Sequence, residues 1–139
     1  MTIQINRLDD AFHFEALNED GKSVHIDAAP AIGGHNAGMR PMQLLLAAIG
    51  TCSVFDILVI LKKQRQVVRD VKITVTGERA DAMPSPFTDI EIRFTFFGDL
   101  RPGKVEKAVQ MSVEKYCSVA TMLEKTARIT HSFEIKPYL

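Results

Sequence analysis

"PMQLLLAAIGTCSVFDILVILKKQR", residues 41 to 65, decides the fold. Pro41 stands where a first helical residue can do without its N–H, and Lys62, Lys63 and Arg65 close the run where cations complement the negative end of a helix. The spacing predicts one long helix from 41 to about 65. Between residues 44 and 61 the single formal charge is Asp56, so this helix is apolar nearly all round and must be covered on every side. A bilayer could supply that cover. Gly50, Thr51, Ser53 and Asp56, however, make the centre polar, and no second segment resembles a span, so no membrane is expected. A chain of 139 residues has little material to wrap such a helix. The expectation is that a second copy supplies part of the cover, with this helix at the centre of an obligate homodimer.

Upstream, "TIQINRL", "AFHFEAL" and "SVHIDA" alternate or nearly so and are separated by Asp9-Asp10 and "NEDGK", which predicts an antiparallel meander over residues 1 to 28. "APAIGGHNAGMRP", residues 29 to 41, has no period and reads as a flexible loop of the kind that borders a site. Downstream, Val71, Ile73 and Val75 alternate with Lys72, Thr74 and Thr76. Ile90, Ile92, Phe94 and Phe96 repeat the pattern, giving two half-buried strands of an antiparallel pair. A second helix starts after Pro102-Gly103, with Val105, Ala108, Val109 and Val113 on its apolar stripe, and continues or restarts at Cys117 to reach about Ala127. Ile129, His131, Phe133 and Ile135 mark a closing strand. The order predicts an α+β fold of antiparallel sheets with two main helices.

With 46% hydrophobic residues, the 139 residues suffice for one core, so residues 1 to 139 are read as a single domain. Seventeen basic residues balance seventeen acidic ones, which gives no reason to expect nucleic acid or a strongly charged substrate. "MTIQINRLDD" has neither the basic start nor the apolar stretch of a secretory signal, which points to the cytoplasm, where thiols are kept reduced.

The four histidines, at 13, 25, 35 and 131, form no ligand spacing with the cysteines, so no metal is expected. "GGHNAG" is not a phosphate loop, and no nucleophile elbow of the GxSxG kind occurs. The remaining candidates for chemistry are the two cysteines, in "TCSVFDIL" at 51 to 58 and "YCSVATML" at 116 to 123. Two buried packing residues would satisfy the same pattern. A reactive thiol needs solvent access and a nearby cation or helix N-terminus. Cys52 lies mid-helix with Asp56 one turn on, so its activation must come from elsewhere in the fold, whereas Cys117 can stand near the start of a restarted helix.

"RPMQLLLAAIGTCS" at 40 to 53, followed by "KYCSVATMLEK" at 115 to 125 and "ITHS" at 129 to 132, resembles the OsmC/Ohr family, most nearly its OsmC-like, YhfA-type branch. The resemblance covers most of the chain. It implies an intertwined homodimer with the cysteine-bearing helices packed centrally, and a thiol peroxidase that reduces organic hydroperoxides. Cys52 would attack the peroxide and become a sulfenic acid, Cys117 would condense with it to a disulfide, and a dithiol, lipoyl-type in the best-known members, would reduce that bond. No cofactor is implied. The sequence departs from the peroxidatic pattern after Pro41, where those members carry a Glu that pairs with an arginine held over the thiolate; here Met42 and Gln43 follow. Arg7 and Arg40 are the candidate cations for Cys52. The alternative reading is a non-catalytic dimer that keeps the scaffold and binds a small apolar ligand.

Overall fold

The computed structural model describes Met1–Leu139, and the chain divides into two compact units, Met1–Leu45 and Leu46–Leu139. The first carries the expected meander: β1 (Gln4–Arg7), β2 (Phe14–Leu17) and β3 (Ser23–Ile26), paired antiparallel in that order. Its turns are made by short polar side chains that take up amides the ladders leave free. Asp9 Oδ1 accepts from the amides of Ala11 (2.9 Å) and His13 (3.1 Å), and Asn18 Oδ1 accepts from those of Asp20 and Lys22, both at 2.9 Å.

The Gly-rich stretch after β3, expected to be flexible, is organised by one carboxylate. Asp27 is 1% exposed; its Oδ1 accepts from the Ala28 amide (2.7 Å) and its Oδ2 from those of His35 (3.0 Å) and Ala37 (3.1 Å). Gly34 lies so close to the Ala28 carbonyl that any side chain there would collide with backbone, which is why the loop needs glycine at that point. Burial pushes the Asp27 carboxyl up, but the Ala37, His35 and Ala28 amides and the charge of His13 outweigh it and hold the group below the ordinary 3.8. A carboxylate depressed in the fold contributes stability above its unfolded value, and that contribution is lost as pH falls through the folded value. Protection of the amides in residues 28 to 39, taken relative to their intrinsic exchange rate at each pH, is therefore expected to fall below about pH 4, and Asp27→Ala to loosen the same stretch at neutral pH, both read by hydrogen-exchange mass spectrometry.

Helix α1 (Pro41–Lys63) begins and ends as its sequence dictates. Gln43 Oε1 accepts from the Arg40 amide at 2.9 Å, the reaching-back half of a capping box, with Pro41 next in line. At the other end Arg65 takes a left-handed conformation (φ 58), while its amide bonds to the Lys62 carbonyl and that of Gln66 to the Leu61 carbonyl, a Schellman closure. Within the chain one face of α1 is buried, formed by Ile49, Gly50, Ser53, Val54, Ile57 and Leu61. Gly50 sits where α1 meets β4: a Cβ there would lie 2.9 Å from Val75 Cγ2. The other side is bare. Leu45, Ala48, Cys52, Phe55 and Val59 recur at alternating spacings of three and four, and Leu45, Phe55 and Val59 are 38%, 65% and 54% exposed.

The second unit holds a mixed sheet of β4 (Asp70–Arg79), β5 (Phe87–Phe97) and β6 (Arg128–Lys136), in that order. β4 and β5 are antiparallel, with Ile73 opposite Phe94 and Val75 opposite Ile92. Ile90, Ile92, Phe94 and Phe96 are buried, as the alternation requires. The closing strand departs from the antiparallel expectation, because β6 runs parallel to β5 from Asp89 opposite Arg128 to Phe97 opposite Lys136. The reason is the connection: α2 (Pro102–Met111) and α3 (Ser118–Leu123) carry the chain back, so β6 starts beside the start of β5. Val105, Ala108 and Val109 of α2 are buried. The predicted second helix thus restarts rather than continues, and its second piece stops at Leu123.

Candidate functional site

Between α2 and α3 the helix widens into a π turn, Ser112–Tyr116, closed by the Cys117 amide on the Ser112 carbonyl at 2.7 Å. Such turns form where a tertiary contact rewards an extra residue, and they concentrate at functional sites. Here the contact is visible: the Ser112 hydroxyl donates to the Ser53 carbonyl of α1 at 2.7 Å. Cys117 then turns extended (φ −71, ψ 109) and caps α3. Its Sγ accepts from the Ala120 amide at 3.3 Å and from the Ser53 hydroxyl at 3.4 Å. Ser53 and Ser112 are 0% exposed and Cys117 is 1% exposed, so this is a closed polar network inside an apolar core, with every side-chain oxygen in it partnered.

Cys52 and Cys117, sixty-five residues apart in sequence, are neighbouring free thiols, Cys52 half-buried on α1 and Cys117 buried. Burial pushes the Cys117 thiol above the ordinary 9.0. The Ser53 hydroxyl and the Ala120 amide pull it down, and the neighbouring Cys52 thiol pushes it up again, with the balance upward. One turn beyond Cys52, Asp56, Val59, Met111 and Tyr116 border an open cavity of about 350 Å³ with mainly apolar walls.

Both candidate cations bond to carbonyls of the first unit. The Arg7 guanidinium donates to the carbonyls of Asp10 (2.7 Å) and Ala11 (2.8 and 3.1 Å). Arg40 Nη1 donates to the Gly38 carbonyl at 3.1 Å. Gln43, beside the position of the expected Glu, caps α1 instead. The histidines meet polar partners: His13 Nε2 is hydrogen-bonded to His25 Nδ1 at 2.7 Å and His131 Nε2 to Glu114 Oε1 at 3.4 Å, while His35 Nδ1 lies 3.4 Å from an Asp9 carboxylate oxygen. Sequence reasoning singled out both cysteines and missed Ser53 and Ser112. The available signal was a hydroxyl in the middle of an apolar helix, which must find a buried partner.

Residues 34–132 match the family described as "OsmC-like protein". The chain belongs to the OsmC-like family. Protein YhfA of Escherichia coli K12 is 48% identical over 96 residues, 68% of this chain and 72% of that one. A crystal structure of a hypothetical protein from Aquifex aeolicus VF5 superposes on this OsmC-like chain with a TM-score of 0.85 at 33% identity, covering 99% of this chain and 97% of the other. The organic hydroperoxide resistance protein OhrB of Bacillus subtilis shares the fold, with a TM-score of 0.70 at 18% identity over 96% of this chain and 98% of its own.

Proposed function

We propose that this OsmC-like protein is a thiol-dependent peroxidase that reduces hydrophobic organic hydroperoxides in the reducing cytoplasm, its 139 residues working as one domain. The observation that carries the reading is the meeting of the chain's two cysteines, one half-exposed and one buried with two donors on its sulfur. Accessibility supports a division of roles. Cys52 is the thiol a peroxide can reach: its thiolate attacks the outer peroxide oxygen, an S–O bond forms as O–O breaks, and the departing alkoxide takes a proton and leaves as alcohol. The Cys117 thiolate then attacks the Cys52 sulfenic acid, S–S forms as S–O breaks, and the hydroxide is protonated to water. A dithiol of the lipoyl type returns both thiols by exchange. The cavity beside Asp56 and Val59 is suited to the hydrocarbon part of the substrate.

The bare seam of α1 supports a homodimer in the same proposal. Leu45, Ala48, Cys52, Phe55 and Val59 have the spacing of a helix-pair seam, and Cys52 lies in its middle. A partner helix laid there would cover Phe55 and Val59 and place both copies of the thiol site at the interface, in a water-poor setting suited to an apolar substrate.

Incubation with cumene hydroperoxide and dihydrolipoamide tests the reading. Consumption of peroxide with release of one alcohol per dithiol oxidised is expected. Intact peroxide together with two free thiols favours the non-catalytic, ligand-binding dimer.

A further inference from the structure

The donor set on the buried sulfur goes beyond a cysteine pair. We infer that Ser53 is a positioning residue: its hydroxyl, with the Ala120 amide, fixes the Cys117 sulfur as a hydrogen-bond acceptor beside Cys52, readying it to close the disulfide. Ser53 donates at 3.4 Å and Ala120 at 3.3 Å. Ser53 is itself held, since its carbonyl accepts the Ser112 hydroxyl at 2.7 Å, and Ser112 closes the π turn that presents Cys117. A sulfur that is 1% exposed has no water to stabilise its negative charge. Two fixed donors replace that water and strengthen as charge develops, because hydrogen bonds to ionised acceptors are the stronger ones. The device also orders the cycle. While Cys52 carries charge it opposes ionisation of Cys117, and conversion of Cys52 to a neutral sulfenic acid lifts that opposition when a second thiolate is required. The attack forms S–S, breaks S–O and releases hydroxide, which leaves as water.

The role in the cycle rests on the peroxidase reading; the hydrogen bond can be tested without it. In a Cys52→Ala background Cys117 is the lone thiol, and its ionisation is followed by thiolate absorbance against pH. Adding Ser53→Ala is expected to move the midpoint up by about one pH unit. Ser53→Ala removes a single oxygen and installs the best helix former, so the fold is retained. Ser112→Ala in the same background removes the bond that holds the Ser53 carbonyl but none to sulfur, and is expected to move the midpoint less than Ser53→Ala does. An unmoved midpoint in Ser53→Ala, or an equal shift in Ser112→Ala, overturns the inference. In the protein with both cysteines, one equivalent of tert-butyl hydroperoxide should give Ser53→Ala an unchanged rate of sulfenic acid formation. Its disulfide closure near pH 7 should be about tenfold slower and recover as pH rises; slowing of both steps alike would also overturn it. A wild-type protein inert to peroxide removes the peroxidase reading and leaves the titration result standing.

Discussion

Replacing Cys52 with serine is expected to abolish reduction of tert-butyl and cumene hydroperoxide, a loss of more than about a thousandfold in turnover. Serine keeps the shape but not the nucleophile, since an alcohol is not ionised near neutral pH and attacks peroxide oxygen poorly. The companion variant separates the roles. Cys117→Ser leaves the half-exposed Cys52 able to react once and then arrests it as a sulfenic acid, which dimedone captures and intact-mass analysis counts. Equal loss of the first turnover in both variants would mean that the two sulfurs do not divide attack and resolution as their burial suggests.

The second large effect is expected at the bare seam of α1. Phe55 and Val59 are 65% and 54% exposed within the chain, on a helix with one charged residue between positions 44 and 61. Aspartate at both positions would place two carboxylates opposite their counterparts across the proposed two-fold axis, combining loss of apolar burial with like-charge repulsion. The dissociation constant of the dimer should rise by more than about a hundredfold, measured by light scattering after size exclusion over a dilution series. Because Cys52 occupies the same seam, peroxide turnover should fall with the dimer population. A wild-type protein that is a well-folded monomer at micromolar concentration would contradict the dimer.

Much of this architecture was legible in the chain because the deciding signals are local. Pro41 and the lysines at 62 and 63 bound α1, and strict alternation in β4 and β5 marks which side of each strand is buried. Alternation reports a face and says nothing of direction, so the parallel pairing of β6 with β5 could not be read from "RITHSFEIK". The loop after β3 looked flexible by composition. Its order comes from a carboxylate that receives amides eight and ten residues along, a tertiary arrangement. The site divides in the same way. The cysteines carried a recognisable context, whereas the π turn before Cys117 depends on a serine hydroxyl reaching a carbonyl fifty-nine residues back in the sequence. Arg7 and Arg40 were natural candidates as cations; that their guanidinium groups bond to the carbonyls of Asp10, Ala11 and Gly38 follows from local loop geometry that composition does not announce.

The pairing of the two sulfurs is the central claim, and peptide mapping under non-reducing conditions tests it most directly. After one equivalent of cumene hydroperoxide, a fragment linking Cys52 to Cys117 of the same chain is predicted, with one cumyl alcohol released per disulfide. Two unmodified thiols beside undiminished peroxide after prolonged exposure would contradict it.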